Sequence, residues 1–417
     1  MSFAAEERLR TVPWEALARA PALDAPLAEV LAGAAADAVL ARVLRAAPGL
    51  DAAGRNAVAE AVLGVALWRR RLAVQLGRAD DPPRLLLAAL LRDLAGRPEL
   101  VPLAGVSPAE LPPPRPAPAG LADRWSLPDW LADELRAAAG PEAEALADAL
   151  DLPGPVCLRA NGLVVSRDAL AARLRAEGVE TRPGRLAPEC LVVTSPRPNV
   201  YGLAAHRDGL FEVQDEASQL AGAAVGARPG EIVLDACAGA GGKTLLLAAA
   251  VGPGGRVHAA DPDAERLRRL RQRAARAGAA GIVEVHGGAP AAGLVVDRAL
   301  VDVPCSELGA LRRGPDLRWR TDPASFGALP ARQLEILSRA ARHVRPGGTL
   351  VYATCTFRRA EDEEVALAFE AAHPGFRRAA PAAPPSLVGP DGFLRTWPHQ
   401  HGTDGFFAAA WTRADAG

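Results

Sequence analysis

The rhythm of apolar and polar positions changes twice along the chain. Over residues 1–111 it is helical throughout: Ala, Leu and Arg dominate, and strand-like alternation is almost absent. "AVLARVLRAAPGLDAAGRNAVAEAVLGVALWRRRLAVQL" (Ala38–Leu76) predicts two or three amphipathic helices. "PPPRPAP" (Pro112–Pro118) predicts a linker over 112–120, stiffened by proline. Over 121–214 the rhythm is mixed. "PDWLADELRAAAG" and "PEAEALADAL" are helical, "VCLRANGL" is a strand, "SRDALAARLRAEG" is helical again, and "ECLVVT" and "GLFEVQ" are strands. That is an α+β module. From Asp215 to the end (215–417), short apolar runs alternate with helices, as in a doubly wound, mostly parallel sheet. The strands are "EIVLDAC", "RVHAAD", "RALVDVPC" and "GGTLVYATC", and "GFFAAAWTR" is expected as a last, antiparallel strand. No internal repeat is evident.

Composition adds bounds. Hydrophobic residues make up 49% of the 417, ample for a sizeable core, and the formal net charge of −1 does not announce nucleic acid. "ERLRRLRQRAARAG" (Glu265–Gly278) carries six arginines on one predicted helix, which reads as a solvated face. There is no signal-peptide pattern and no apolar run long enough to span a membrane, so a cytoplasmic protein is expected, and a monomer. Five cysteines show no paired metal spacing; they read as reduced thiols, and no metal is expected. Of 48 Lys plus Arg, one is lysine, Lys243, and the other 47 are arginine. Lysine is a compact charge where arginine is a bulky fork, so a single survivor points to a position that arginine cannot serve.

Lys243 stands in "DACAGAGGKT" (Asp235–Thr244). A phosphate-binding loop needs Gly, four residues, then Gly-Lys-Ser/Thr, and Cys237 occupies the place of the first glycine. The surroundings fit another cofactor. A strand runs into the glycine turn, "TLLLAAAVG" starts a helix that Gly252 can end, and "RVHAAD" ends on Asp261, 19 residues after Gly242. A carboxylate about 20 residues beyond the turn is placed to bind ribose hydroxyls. The bland alternative is a tight turn that binds nothing.

In an open α/β sheet, ligands bind beyond the carboxyl ends of the strands. Cys305 follows "RALVDVP" and Cys355 follows "LVYAT", so both belong at the rim of the glycine turn. Asp302 and Ser306 flank one, Thr354 and Thr356 the other, polar company that suits a core filler poorly. A thiol beside a methyl-donor-sized site suggests one reaction. Carbon 5 of a pyrimidine becomes nucleophilic once a thiolate adds to carbon 6. It can then take a methyl group, and loss of the carbon-5 proton and of the thiol restores the ring.

From about residue 120 onward the chain resembles the RsmB-like (Sun, Fmu, Nop) RNA cytosine-5 methyltransferases. The resemblance rests on "VQDEASQL" (Val213–Leu220), "DACAGAGGKT", "DRALVDVPCSELGALRRGPDLRWR" (Asp297–Arg320), "YATCTF" followed by "EDEE" (Glu361–Glu364), and "HGTDGFFAA" (His401–Ala409). It implies a Rossmann-like class I methyltransferase domain, preceded by an RRM-like α+β subdomain to which "SLPDWLADEL" and "LRANGL" are similar. The helical residues 38–76 are similar to the NusB-like RNA-binding domain of bacterial members; a plain helical bundle is the alternative. The resemblance further implies S-adenosylmethionine as cofactor and RNA, with small-subunit ribosomal RNA first, as substrate. Cys355 would be the nucleophile and Cys305 would assist release. Asp302 and Lys243 would hold the base and the reacting centre. Cys237, Ala238, Gly239, Ala240, Gly241, Gly242, Lys243, Asp261 and Asp302 would line the donor site.

Three positions depart from the family pattern. Gly239-Ala240 replaces Ala-Pro, which should loosen the loop. Gly288 stands where the family has an Asp near the adenine, and Glu307 replaces the glycine of Pro-Cys-Ser-Gly. They leave open a catalytically weakened RNA-binding or ribosome-assembly protein of the same fold. Transfer RNA as substrate also stays open, as does a DNA cytosine methyltransferase, although the paired Thr-Cys argues against the last.

Overall fold

The computed structural model describes residues 4–77, 82–195 and 198–415. The chain divides into two compact units, one of Met1–Pro153 with Leu311–Pro323, the other of Gly154–Ala310 with Ala324–Gly417.

The first unit is helical, with no strand among its described residues. The stretch read as two or three helices forms two, Ala36–Ala46 and the 25-residue Ala52–Leu76. Asp51 caps the longer helix by accepting from the Gly54 amide at 2.7 Å, and Gly77 ends it at φ +75°. Helices Asp129–Ala139 and Ala143–Asp151 pack in this unit, where the Ala5 amide donates to Asp148 at 3.1 Å. The returning segment Leu311–Pro323 is held by polar anchors. Asp316 accepts from the Ala36 amide at 3.2 Å, and Trp319 lies under the Arg69 guanidinium at 3.9 Å. Arg318 pairs with Asp151 at 2.8 Å, both side chains 0% exposed. Burial pushes the Asp151 carboxyl up to about 6, against the pull of the Arg318 charge.

The second unit holds two sheets. The smaller has order β2-β3-β1-β4, all antiparallel, from β1 (Cys157–Ala160), β2 (Thr181–Pro183), β3 (Cys190–Val193) and β4 (Phe211–Val213). The helix Arg167–Ala176 is capped by Ser166, whose hydroxyl accepts from the Ala169 amide at 3.3 Å, and it packs on this sheet through Leu170 and Leu174. β1 stops where Asn161 takes over: its amide group donates to the carbonyls of Gly209 and Ala277.

The larger sheet has order β10-β12-β9-β8-β5-β6-β7, with β11 on β12. Its strands are β5 (Ile232–Asp235), β6 (Arg256–Asp261), β7 (Val283–Gly287), β8 (Val296–Asp302), β9 (Val344–Thr354), β10 (Phe376–Ala379), β11 (Leu394–Thr396) and β12 (Phe406–Arg413). β5 to β9 are parallel, and β12 runs antiparallel to β9, as the sequence predicts. The order reverses between β5 and β8, the switch point at which such sheets open a crevice at their carboxyl ends. Val257, Ala259, Leu267 and Leu270 pack one face, Leu234, Val301, Leu337 and Phe369 the other. Each fully buried valine, leucine or phenylalanine among them contributes roughly 1.5–3 kcal/mol.

Removing Arg318 strands a buried carboxylate. Arg318→Met should lower unfolding stability by about 3–5 kcal/mol, and adding Asp151→Leu should recover most of the loss. Urea melts of both variants check this; an unchanged midpoint in the single variant would mean that the pair does not hold the segment.

Candidate active site

The site forms at the switch point from the glycine turn after β5 and the ends of β6, β8 and β9. The turn follows from its glycines. Gly239 lies at φ +53° and Gly241 at φ +91°, backbone that side chains rarely adopt. A Cβ on Gly241 would also meet Leu270 at 2.9 Å. The helix Gly242–Val251 then opens, so its first amides point into the crevice. Asp261, ending β6, accepts from the Gly239 amide at 3.0 Å and, through its other oxygen, from the Asp263 amide at 2.8 Å. It grips the turn from the end of the second strand. Asp235 is buried and takes the Thr244 hydroxyl at 2.7 Å, while its second oxygen has no partner among the described residues. Burial pushes its carboxyl up to about 6, although the Thr244 bond works the other way. Cys237 is mostly covered, and burial pushes its thiol up. The space where a Cβ on Gly239 would stand is open, with nothing within 4 Å. Left-handed glycines, open space and a spare buried carboxylate oxygen make a cradle that fits a nucleoside-linked amino acid.

Lys243 and Asp302, 59 residues apart, meet at 2.7 Å. The Lys243 ammonium also sits 4.9 Å from the centre of the Phe406 ring. Burial pulls its pKa down, but the charge and hydrogen bond of Asp302, with Cys355 and Asp235 beyond, outweigh that and hold it above the ordinary lysine value. The two thiols come together as well: Cys305 Sγ and Cys355 Sγ are 3.4 Å apart. The hydrogen bond to Cys355, followed by burial, raises the Cys305 thiol well above the usual cysteine range.

A polar frame holds both cysteine loops. Glu361, fully buried, accepts from the Ser306 amide at 2.9 Å and from the Gln333 side chain at 2.9 Å. Gln333 donates to the Pro304 carbonyl at 3.0 Å, and the hydroxyls of Ser306 and Thr356 are 2.8 Å apart. Thr354 donates to Asp362, whose carboxyl burial drives well above its usual range. Gly309 passes so close to the Cys355 and Gly405 carbonyls that a Cβ would come within 2.9 Å and 2.1 Å of their oxygens. Glu361 lies in the quoted "EDEE", but nothing local in the sequence distinguishes the one glutamate that frames the loops.

The arginine-rich helix is a solvated face over its first part, as expected, and departs from that role at its end. Arg266, Arg268 and Arg269 pair at the surface with Asp263 or Glu265. Arg273 and Arg276 instead clamp Glu212 of β4, and Arg273 donates to the Ala240 carbonyl at 2.8 Å. Arg159 of β1, buried, joins Gln214 to the Gly242 carbonyl, the latter at 2.8 Å. The smaller sheet therefore braces the glycine turn on which the family places the donor. The two unusual residues also acquire a backbone context. Gly288 lies at φ +96° with its amide on the Asp261 carbonyl at 2.9 Å, and Glu307 lies at φ +58°.

A doubly wound sheet with a glycine turn, an acid-ended second strand and an antiparallel last strand defines a Rossmann-like methyltransferase. Residues 223–412 match the family model of the 16S rRNA methyltransferase RsmB/F, and residues 127–200 the ferredoxin-like domain of the same group. The chain is 36% identical over 298 residues to the Bacillus subtilis protein named "Probable ribosomal RNA small subunit methyltransferase B". That match spans 69% of this chain and 66% of the relative, just under two thirds of its length. The Synechocystis protein of the same name is 34% identical over 300 residues, 69% of this chain and 67% of its own. A crystal structure of a methyltransferase homolog protein from Pyrococcus horikoshii superposes with a TM-score of 0.61 at 26% identity, covering 70% of this chain and 97% of that one. The chain belongs to the RsmB/F ribosomal-RNA methyltransferase family, whose methyl donor is S-adenosylmethionine. Among the described residues, no helix is long and apolar enough to cross a membrane.

Two outcomes follow from this geometry. Left-handed backbone costs a non-glycine residue roughly 1–3 kcal/mol. Glu307→Gly should therefore raise unfolding stability by about 1 kcal/mol after the entropy of glycine is subtracted, read as a higher denaturation midpoint. The second concerns Cys305. Its thiol is raised chiefly by Cys355, so Cys355→Ala should lower its pKa and increase the thiolate fraction at pH 8. Its alkylation by iodoacetamide, followed by mass spectrometry, should accelerate on the order of tenfold. An unchanged rate would mean that burial alone sets the thiol.

Proposed function

We propose that this chain transfers a methyl group from S-adenosylmethionine to carbon 5 of a cytosine in small-subunit ribosomal RNA, through a covalent adduct on Cys355. The observation that carries the reading is the pair of thiols 3.4 Å apart, beside the Lys243–Asp302 ion pair at the carboxyl ends of the strands. The donor supplies an electrophilic methyl on a sulfonium. Asp235, Asp261 and the turn Cys237–Gly242 would hold it.

The chain's own residues divide the remaining work. Cys355 adds its sulfur to carbon 6, and the electrons of the 5,6 double bond move onto carbon 5 and the ring. The Lys243–Asp302 pair holds charge beside the ring as that happens. Carbon 5 takes the methyl and still carries its proton. Cys305 then removes that proton, the 5,6 double bond re-forms, and the bond to Cys355 breaks with its electrons returning to sulfur. The mutual setting of the thiols suits this order. Before attack, the neighbouring sulfur keeps Cys305 protonated. Once Cys355 is bonded to carbon, that neighbour no longer disfavours ionisation, so Cys305 gives its own proton to solvent and stands as the thiolate base at the step that needs one.

Glu307 and Gly288 favour a second reading, an RNA-binding protein of this fold with little turnover, since Gly288 lacks the carboxylate the family has near the adenine and Glu307 adds a charge beside the site. One assay separates the two. With donor and 16S RNA, Cys355→Ala should be inactive and never cross-link. Cys305→Ala should accumulate a protein–RNA complex that survives denaturing electrophoresis. Complex in the Cys355 variant instead would reverse the roles. No complex and no methyl transfer in any form would favour the second reading.

A further inference from the structure

Away from the crevice, at the far edge of the larger sheet, two histidines and a glutamate converge. His258 lies on β6 opposite Glu284 of the edge strand β7, and His286 follows two residues after Glu284. Direct pairing and a two-residue step put all three side chains on one face. The alternate residues Val257, Ala259, Val283 and Val285 fill the core on the other. His258 is buried, His286 half-buried and Glu284 more exposed.

The contacts within the cluster are unusual. His258 Nδ1 is 3.0 Å from His286 Nε2, so a single proton between the two rings holds that contact. The Glu284 carboxylate is 3.8 Å from His258 Nδ1 and 3.7 Å from His286 Nε2. It therefore faces both imidazoles without hydrogen-bonding either. Arg256 approaches the same carboxylate only to 3.7 Å. The two glutamate contacts are made by different carboxylate oxygens, and one ligand atom from each of the three residues can be chosen so that all lie within 4.8 Å of one another. A tetrahedral zinc ion with legs of about 2.0–2.2 Å spans ligand pairs about 3.3–3.5 Å apart. Glu284, the most exposed of the three, would turn one oxygen toward both imidazoles to close the set to that spacing, with the shared proton replaced by the ion and a fourth position left to water.

We propose that His258, Glu284 and His286 bind a divalent transition-metal ion of the zinc class. Two imidazoles and one carboxylate suit zinc and its neighbours, whereas magnesium and calcium prefer all-oxygen sets. The ion would tie the edge strand β7 to β6 three residues before Asp261, and so would fix the strand that carries the grip on the glycine turn. The cysteine spacing gives no hint of this site. Its signal is the Glu-Val-His alternation in "IVEVHG" facing a histidine on the preceding strand.

The test is a titration of the full chain with Zn2+ alone, with Co2+ as a spectroscopic probe. One Zn2+ per chain should bind, and His286→Ala and Glu284→Gln should each weaken it, the histidine variant on the order of a hundredfold. Arg256→Gln should tighten binding a few-fold, because it removes a competing cation, an effect that simple unfolding of the edge cannot mimic. The Co2+ form should show no thiolate charge-transfer band. Zinc binding unaltered in the two ligand variants, no binding by the wild type, or a thiolate band that assigns the ion to Cys305 and Cys355 would overturn the proposal. None of these readouts depends on methyl transfer.

Discussion

The ion pair between Lys243 and Asp302 sets the conditions for everything around the crevice. It links the first turn after β5 to the end of β8 across the switch point. An ammonium that is only 11% exposed needs a partner, and one carboxylate supplies it at hydrogen-bonding distance. With the charge balanced there, the remaining rim can be lined with thiols and hydroxyls, framed by one further ion pair between Arg358 and the buried Glu361 at 3.1 Å. This also accounts for the one lysine among 48 basic residues. A guanidinium would bring a planar fork where the Phe406 ring and the carboxylate leave room for a compact ammonium.

Around that pair the site is built from loops, and loops are precise only when framed. Glu361 does most of the framing. It is fully buried, it sits on the Cys355 side of the site, and it reaches across to the Cys305 loop and to Gln333. Gly309 adds a steric condition: two backbone segments touch where any side chain would intrude. The sulfur–sulfur distance is thus set by buried hydrogen bonds and close backbone packing more than by the thiols themselves. On the donor side, β1 and β4 act likewise through Arg159 and Glu212. A subdomain expected to serve RNA also stiffens the glycine turn.

What the sequence disclosed, and what it hid, follows from the range of the interactions. β5, β6, β8, β9 and β12 are apolar runs bounded by glycine or acidic residues, and a buried strand needs no more signal than that. The three-residue edge strand β2, half-exposed and ending in proline, carries no such pattern. The residues at the crevice were legible because the motifs name them and the fold rule sends them to one rim. Their partnerships were not. Arg273 and Arg276 look like surface charge until Glu212, 61 and 64 residues earlier, is seen to face them. Glu307 registered as an odd letter, and only its dihedral shows why glycine suits that place. The histidine–glutamate cluster depends on the register of two neighbouring strands, which periodicity alone does not fix.

The discontinuous make-up of the helical unit has a consequence for the order of events during synthesis. Its main part ends at Pro153, yet Leu311–Pro323 belongs to it as well. On the ribosome the early helices emerge long before Arg318, and until then Asp151 lacks the charge that pairs with it directly. At about 5–20 residues per second the wait lasts roughly ten seconds or more. During that interval a carboxylic acid that keeps its proton more readily than usual is a less costly occupant of the nascent core than a bare carboxylate. The helical half is therefore made first but completed late, after β8 and the Cys305 loop have already been translated.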